Sequence, residues 1–132
     1  MVYIEADSWS GPFTRNAILP ISKISIPIFP QPVFTSVDIK SVEIVDVDYG
    51  KCLMVTLSER ASYDLYKISI DSLDNRLILT VNGKVVGFSV IDHAINDGTI
   101  LVFAEMRLQD LEPLVLELNE TIARINKMKK ER

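Results

Sequence analysis

The residues with the most chemical capacity lie in one short stretch, Asp92-His93-Ala94-Ile95-Asn96-Asp97. His93 is the single histidine of the chain. Nucleophilic catalysis needs a nucleophile, a base and a group that orients the base, so His93 would have to be the base. Asp92 and Asp97 would be its carboxylate neighbours, and together the three could offer ligands to a metal. A metal site usually draws three or more convergent ligands, however, and residues of one short loop read more simply as a polar turn between strands. A small-molecule or metal-dependent enzyme using Asp92, His93 and Asp97 is therefore the alternative reading. The preferred reading has no catalytic, cofactor-binding or metal-binding residue.

Other chemical motifs fail on spacing. Asp46-Val47-Asp48-Tyr49-Gly50 opens like a calcium loop, with carboxylates at positions one and three. Such a loop needs glycine at position six and a bidentate Glu at position twelve, whereas Gly50 falls at five and Leu57 at twelve. No phosphate-binding G-x-x-x-x-G-K-[ST], dinucleotide G-x-G-x-x-G or nucleophile-elbow G-x-S-x-G occurs, and Ser8-Trp9-Ser10-Gly11 is no elbow. Cys52 is alone, so it makes no intramolecular disulfide, and its apolar surroundings read as those of a small core hydrophobe. Asn119-Glu120-Thr121 fits a glycosylation pattern but falls inside a helix.

The 132 residues are one domain's worth, with 48% hydrophobic and 24% charged. A chain of this size buries roughly 68% of its unfolded surface, enough for one core. Net charge is −4. Lys127–Arg132 holds four cations and one Glu, so the remainder carries ten cations against seventeen anions, a net of −7. An acidic body argues against duplex nucleic acid, which is bound by neutralising phosphates. Cations at a helix C-terminus complement its dipole. No apolar run reaches the roughly 18 residues that span a bilayer. No charged n-region followed by an apolar h-region opens the chain. The start at Met1 is compatible with a natural beginning, or with a chain whose signal peptide or lipid anchor has been removed.

The elements that must position these residues fall into two parts. Residues 1–36 hold five of the six prolines, Pro12, Pro20, Pro27, Pro30 and Pro32. Proline donates no ladder hydrogen bond, so this part reads as an extended N-terminal arm with one short edge strand at Ile24, Ile26 and Ile28. Trp9 and Phe13 are its expected anchors. Packing on its own domain is the simpler reading, and the arm residues Trp9, Phe13, Ile24, Ile26 and Ile28 are the candidates for contacting a partner.

Residues 37–132 read as a regular α+β domain. Val42 and Ile44 alternate, and Val45 and Val47 continue one step out of phase, which suggests a bulge. A turn at Asp48-Tyr49-Gly50 leads to a strand with Leu53, Val55 and Leu57 on one face and Cys52, Met54 and Thr56 on the other. Ser58 is an N-cap with Glu59 in the first turn. Ala61, Leu65 and Ile68 then line one side of a helix ending near residues 69–72. Asn82-Gly83 supplies the two positive φ angles of a type I′ hairpin turn. Its register predicts Leu79 opposite Val86 and Leu77 opposite Phe88, with Leu77, Leu79, Val86, Phe88 and Val90 sharing the core face. A strand follows over residues 99–105. Leu108, Leu111, Val115, Leu118, Ile122 and Ile125 make the stripe of a final helix, starting at residues 109–112 because Pro113 suits only the first turn. That helix packs on the sheet, with helix-mediated dimerisation as the alternative. The order ββαβββα predicts a two-layer α+β sandwich: an antiparallel-rich, ferredoxin-like sheet with two helices on one face.

One further signal lies in the wording of these segments. Pro32-Val33-Phe34-Thr35-Ser36-Val37-Asp38-Ile39-Lys40-Ser41-Val42 resembles the "pvl-x-x-x-Di-x-sa" opening of the large periplasmic head domain of SecD, a subunit of the bacterial protein-export machinery. Leu53–Ser58 resembles its "v-x-l-x-Lt" strand. The run from Asn75 to Gly87 resembles its "grrLai-v-l-d-Gkv-s-a" hairpin, and Asp92–Gly98 its "i-x-x-p-I-x-x-G" loop. The resemblance covers residues 32–126. Asn82 stands where the family has aspartate, the helix after Ser58 is short and tyrosine-rich, and none of SecD's membrane helices is present. The resemblance implies a SecD-head-like fold in a periplasmic or cell-envelope setting, secreted or lipid-anchored, and a non-catalytic role with a protein or peptide partner. The family's domain contacts emerging polypeptide, but no residue of that contact carries over. A cytoplasmic regulatory domain is the remaining alternative, and a homo-oligomer is the other expected association. No cofactor, nucleic acid or membrane-spanning segment is expected.

Overall fold

A computed structural model of the chain describes residues 1–6, 14–47 and 50–130. Its elements are β1 (Val2–Ile4), β2 (Arg15–Ile18), β3 (Ser25–Ile28), a 3-10 turn (Ser36–Asp38), β4 (Ile39–Val47), β5 (Gly50–Leu57), α1 (Glu59–Asp71), β6 (Arg76–Val81), β7 (Lys84–Val90), β8 (Thr99–Ala104) and α2 (Leu108–Lys130). Six strands form one antiparallel sheet in the order β1-β6-β7-β8-β5-β4, and β2 and β3 form a separate hairpin. This is the expected mixed α+β architecture, with β4 to α2 in the predicted order.

Local chemistry explains several boundaries. The Ser58 hydroxyl accepts a hydrogen bond from the Ala61 N–H at 3.3 Å and starts α1. Asn82 and Gly83 have φ of 52° and 80°, as a type I′ turn requires. Leu53, Val55 and Leu57 lie in the main core, as do Ala61 and Leu65 of α1 and Leu111 and Ile122 of α2. Both helices therefore cover the same sheet face. Helix α2 starts at Leu108, slightly earlier than expected, so Pro113 lies beyond the first turn.

Two expectations about register are corrected. β4 has no bulge at Ile44–Val45; its irregularity lies between Ile39 and Ser41. Val45 and Val47 simply face the other side of a continuous strand, so the phase change marked a strand with apolar residues on both faces. In the Asn82-Gly83 hairpin, Thr80 pairs with Val85 but Leu79 pairs with Gly87, leaving Val86 as an extra residue. This bulge moves the rest of the strand by one step. Phe88 pairs with Ile78 and Val90 with Arg76, on the face opposite Leu77 and Leu79.

The described part of residues 1–36 supplies three strands rather than one. β1 pairs with β6 at the sheet edge, Val2 opposite Leu79 and Ile4 opposite Leu77. The β2–β3 hairpin lies on the sheet face away from the helices. Ala17, Leu19, Ile26 and Ile28 are buried there against Tyr3 and Ile78, with Val85 and Phe88 at the margin. Pro27 causes no loss in this position. Its carbonyl accepts from the Ala6 N–H at 2.8 Å, and its missing N–H lies on that same side, away from the β2 ladder.

Candidate functional site

The hairpin covers only part of the back of the sheet. The β7–β8 ladder consists of two pairs, Gly87 with Ala104 and Phe88 with Phe103. Beyond Phe88 the two strands diverge, and β8 pairs only with β5, from Cys52–Phe103 to Thr56–Thr99. The divergence opens a cleft of about 530 Å³. Val47, Met54, Val90, Leu101 and Phe103 form its apolar walls, and Ser89, Ile95 and Ile100 line its depth. Val90, Leu101 and Phe103 are 46%, 42% and 39% exposed, which is a large uncovered fraction for clustered side chains of this kind.

Specific contacts hold the cleft open. Gly87 lets β8 approach closely, because a Cβ there would stand 2.0 Å from the Phe103 carbonyl oxygen. Phe88 and Phe103 meet with ring centroids 6.2 Å apart and planes tilted by 42°. Buried Ser69 on α1 accepts from the Ile95 N–H at 2.8 Å and donates to the Tyr66 carbonyl at 2.7 Å, tying the 91–98 loop to the helix. Gly98, with φ 69°, packs beside Ser62, and its carbonyl accepts from the Leu57 N–H at 2.9 Å. The covering hairpin is anchored at its turn. The Glu105 carboxylate accepts from the N–H groups of Ile21 and Ser22 at 3.1 and 2.6 Å and from the Ser22 hydroxyl at 2.9 Å. Burial of Glu105 opposes ionisation, but these donors and nearby Lys23 hold its carboxyl below the ordinary carboxylate value.

Asp92, His93 and Asp97 stand on the rim of this cleft. Asp92 and His93 pair with each other through Oδ1 and Nδ1, and their side chains are 74% and 73% exposed. The Asp97 carboxylate accepts from the Thr99 N–H at 3.1 Å and shapes the entry into β8. Among the described residues, no group of three or more His, Cys, Asp and Glu converges on a metal position. Cys52 lies beneath the apolar wall, and burial pushes its thiol pKa up, away from the reactive thiolate. The rim can thus supply negative charge, with Asp92 and His93 joined in an exposed pair and Asp97 engaged apart from them at the start of β8.

The arm candidates divide. Ile26 and Ile28 are 0% and 1% exposed, and their area is committed to the chain's own sheet. Ile24 is 49% exposed, beside the hairpin turn. Trp9 and Phe13 lie outside the described residues. The sequence pattern does not mark Val47, Val90, Leu101 and Phe103 as cleft residues, although the apolar residues on both faces of β4 are a visible signal of a second apolar surface. Asn119, the glycosylation-pattern residue, is engaged with the sheet edge. Its Oδ1 accepts from the Val42 N–H at 3.1 Å and its Nδ2 donates to the Val42 carbonyl at 2.8 Å. The helical stripe of α2 packs on the sheet, and no helix among the described residues is long and apolar enough to cross a membrane.

No protein-family model matches the chain, and no curated protein sequence matches it. Solved structures do share its fold. One, described as a membrane component SecDF that enhances protein export, has a TM-score of 0.64 and 14% identity over 89% of this chain. A second, SecDF in a super-membrane-facing form, has a TM-score of 0.65 and 16% identity over the same share. The chain spans 60% and 18% of those two chains, less than two thirds of either. At these identities the likeness is one of fold, and that fold is SecD-like.

Proposed function

We propose that the chain is a non-catalytic, protein-export-associated interaction domain of the cell envelope, and that it holds an extended polypeptide segment in the cleft between β7 and β8. The observation that carries this reading is the partial cover of the sheet. A two-stranded hairpin occupies one half of the back face, and the other half presents Val90, Leu101 and Phe103 beside strands that have left their ladder. A surface that already accepts two extended strands on one half is suited to accept another on its second half. The apolar walls select apolar side chains at alternate positions of such a segment. Asp92 and Asp97 on the rim, and the acidic body, favour basic flanks over acidic ones. The SecD-like fold supports the export setting and a periplasmic location, since its structural neighbours belong to a membrane component that enhances export.

The test is fluorescence anisotropy with labelled peptides of about ten residues, long enough to cross the cleft in extended form. One peptide is apolar with basic flanks, one apolar with acidic flanks, one polar throughout. The basic-flanked apolar peptide binds the natural chain most tightly, and Leu101→Asp abolishes its binding while leaving the melting temperature nearly unchanged. Equal binding of all three peptides, or undiminished binding by Leu101→Asp, refutes the proposal.

A further inference from the structure

The side of α1 that faces away from the sheet carries an apolar line among its charges. Ala61, Leu65 and Ser69 are buried inward, while Tyr63, Tyr66 and Ile70 point outward with exposures of 64%, 41% and 47%. Their spacing of three and four residues puts them in one line. Leu73, in the turn after the helix, is 50% exposed. The Lys67 ammonium lies 4.5 Å from the Tyr63 ring centroid, along the same side. A seam of this period is what one helix offers another.

The charges beside the seam indicate which helix. Arg60, Asp64, Lys67 and Asp71 follow one another at intervals of four, three and four, with signs plus, minus, plus, minus. All four are exposed, and none takes part in an ion pair between described residues. Reversing the helix direction turns this order into its opposite. A two-fold axis crossing α1 between Leu65 and Tyr66 therefore sets Arg60 against Asp71 of a second copy and Asp64 against Lys67 of that copy. The symmetry repeats each pair, giving four attractive contacts and no like-charge contact in this flank. The same axis sets Tyr63 at the level between Tyr66 and Ile70 of the second copy, so the seams interdigitate rather than collide.

We infer that α1 pairs antiparallel with α1 of a second copy of this chain, through Tyr63, Tyr66 and Ile70 and the self-complementary charge row Arg60, Asp64, Lys67 and Asp71. This two-fold contact uses the same patch on both copies and leaves the sheet cleft uncovered. One thirteen-residue helix offers less than the roughly 1,000 Å² of a tight complex, so the pair is concentration-dependent.

Sedimentation equilibrium from roughly 10 μM to 1 mM, a range suited to a small interface, tests the inference. The natural chain shifts from monomer to dimer across this range, and less so at 1 M salt, where exposed charges are screened. Asp71→Arg places like charges opposite each other twice and weakens the dimer by roughly tenfold or more. Arg60→Asp alone does the same. The double variant Arg60→Asp with Asp71→Arg restores opposite signs and recovers association to about the natural value. Tyr66→Ser with Ile70→Ser removes the seam and abolishes the dimer. All these positions are exposed, and a melting curve for each variant verifies its fold. A monomer at every concentration overturns the inference, as does a dimer indifferent to Asp71→Arg, or one that the charge exchange fails to restore.

Discussion

Replacing Gly87 by alanine should injure the fold more than the same substitution at Gly83. The reason is steric, not conformational. The new Cβ would stand 2.0 Å from the Phe103 carbonyl oxygen, 2.8 Å from its carbonyl carbon and 2.9 Å from the Ala104 Cα. All three atoms are backbone, so no rotamer change relieves the overlap. β8 must move by about 1 Å to restore ordinary contact, at a typical overpacking cost of about 1–3 kcal/mol. The movement falls on the two-pair ladder that joins the β1-β6-β7 part of the sheet to the β8-β5-β4 part. Weakening the bonds of that ladder, and the 2.9 Å bond from the Glu105 N–H to the Val86 carbonyl, adds about 1 kcal/mol for each bond lost. The expected total is about 3–5 kcal/mol, which corresponds to a fall in melting temperature of about 10–20 °C for a domain of this size. Gly83→Ala is the control. Gly83 has nothing within 4 Å of its would-be Cβ, and its cost comes only from a φ of +80°, about 1–2 kcal/mol. Urea unfolding of the three proteins supplies the comparison. If Gly87→Ala lies within about 1 kcal/mol of the natural chain, or is no worse than Gly83→Ala, the close approach of β8 is not a constraint on the fold.

Three further outcomes are expected. The Arg76 guanidinium and backbone N–H both donate to the Glu5 carboxylate and hold its pKa below its ordinary value of 4.5. A depressed folded-state pKa contributes stability above the unfolded value and loses it as pH falls through the folded one. Melting temperatures measured from pH 6 downward should thus fall below about pH 4.5, and fall less steeply in Glu5→Gln, which costs about 1–2 kcal/mol at neutral pH; parallel pH profiles would contradict this. Asn119→Ala strips the Val42 N–H and carbonyl of their partner on the outer edge of β4. Hydrogen exchange at Val42 should accelerate, at a stability cost of about 1–2 kcal/mol; unchanged protection would show that Asn119 does not cap this edge. Cys52, fully buried with a raised pKa, should react with a thiol reagent only as fast as the chain unfolds. Prompt labelling of the native protein would disprove its burial.

Signals that act over a few residues were legible from sequence. Asn82-Gly83 takes positive φ because those residue types tolerate it at little cost, and the turn forms wherever the chain places it. Ser58 caps α1 through its own next turn. The alternation of Leu53, Val55 and Leu57 against Cys52 and Met54 followed from the two-residue period of a strand. The site was much less legible. Asp92, His93 and Asp97 drew notice as titratable residues, yet they only rim a cleft whose walls are apolar. Alternation from the Asn82-Gly83 turn puts Val90 on the core face, and the extra residue Val86 moves it to the other. A bulge leaves no local mark when the inserted residue is another valine.

Local preference and periodicity in the sequence determined the element order, the turn and caps, and the apolar face of each helix. These depend on covalent sterics and on neighbours within one or two turns. Tertiary structure alone decided that Val2–Ile4 joins β6 at the sheet edge, that β2 and β3 lie across the back face, and that β7 and β8 part after Phe88. Those outcomes balance burial of side chains distant in sequence, such as Ile26 against Ile78, against hydrogen bonds such as those from Ser22 to Glu105. The free energy of such contacts belongs to pairs of segments, not to either segment, so it cannot be read from one stretch of chain.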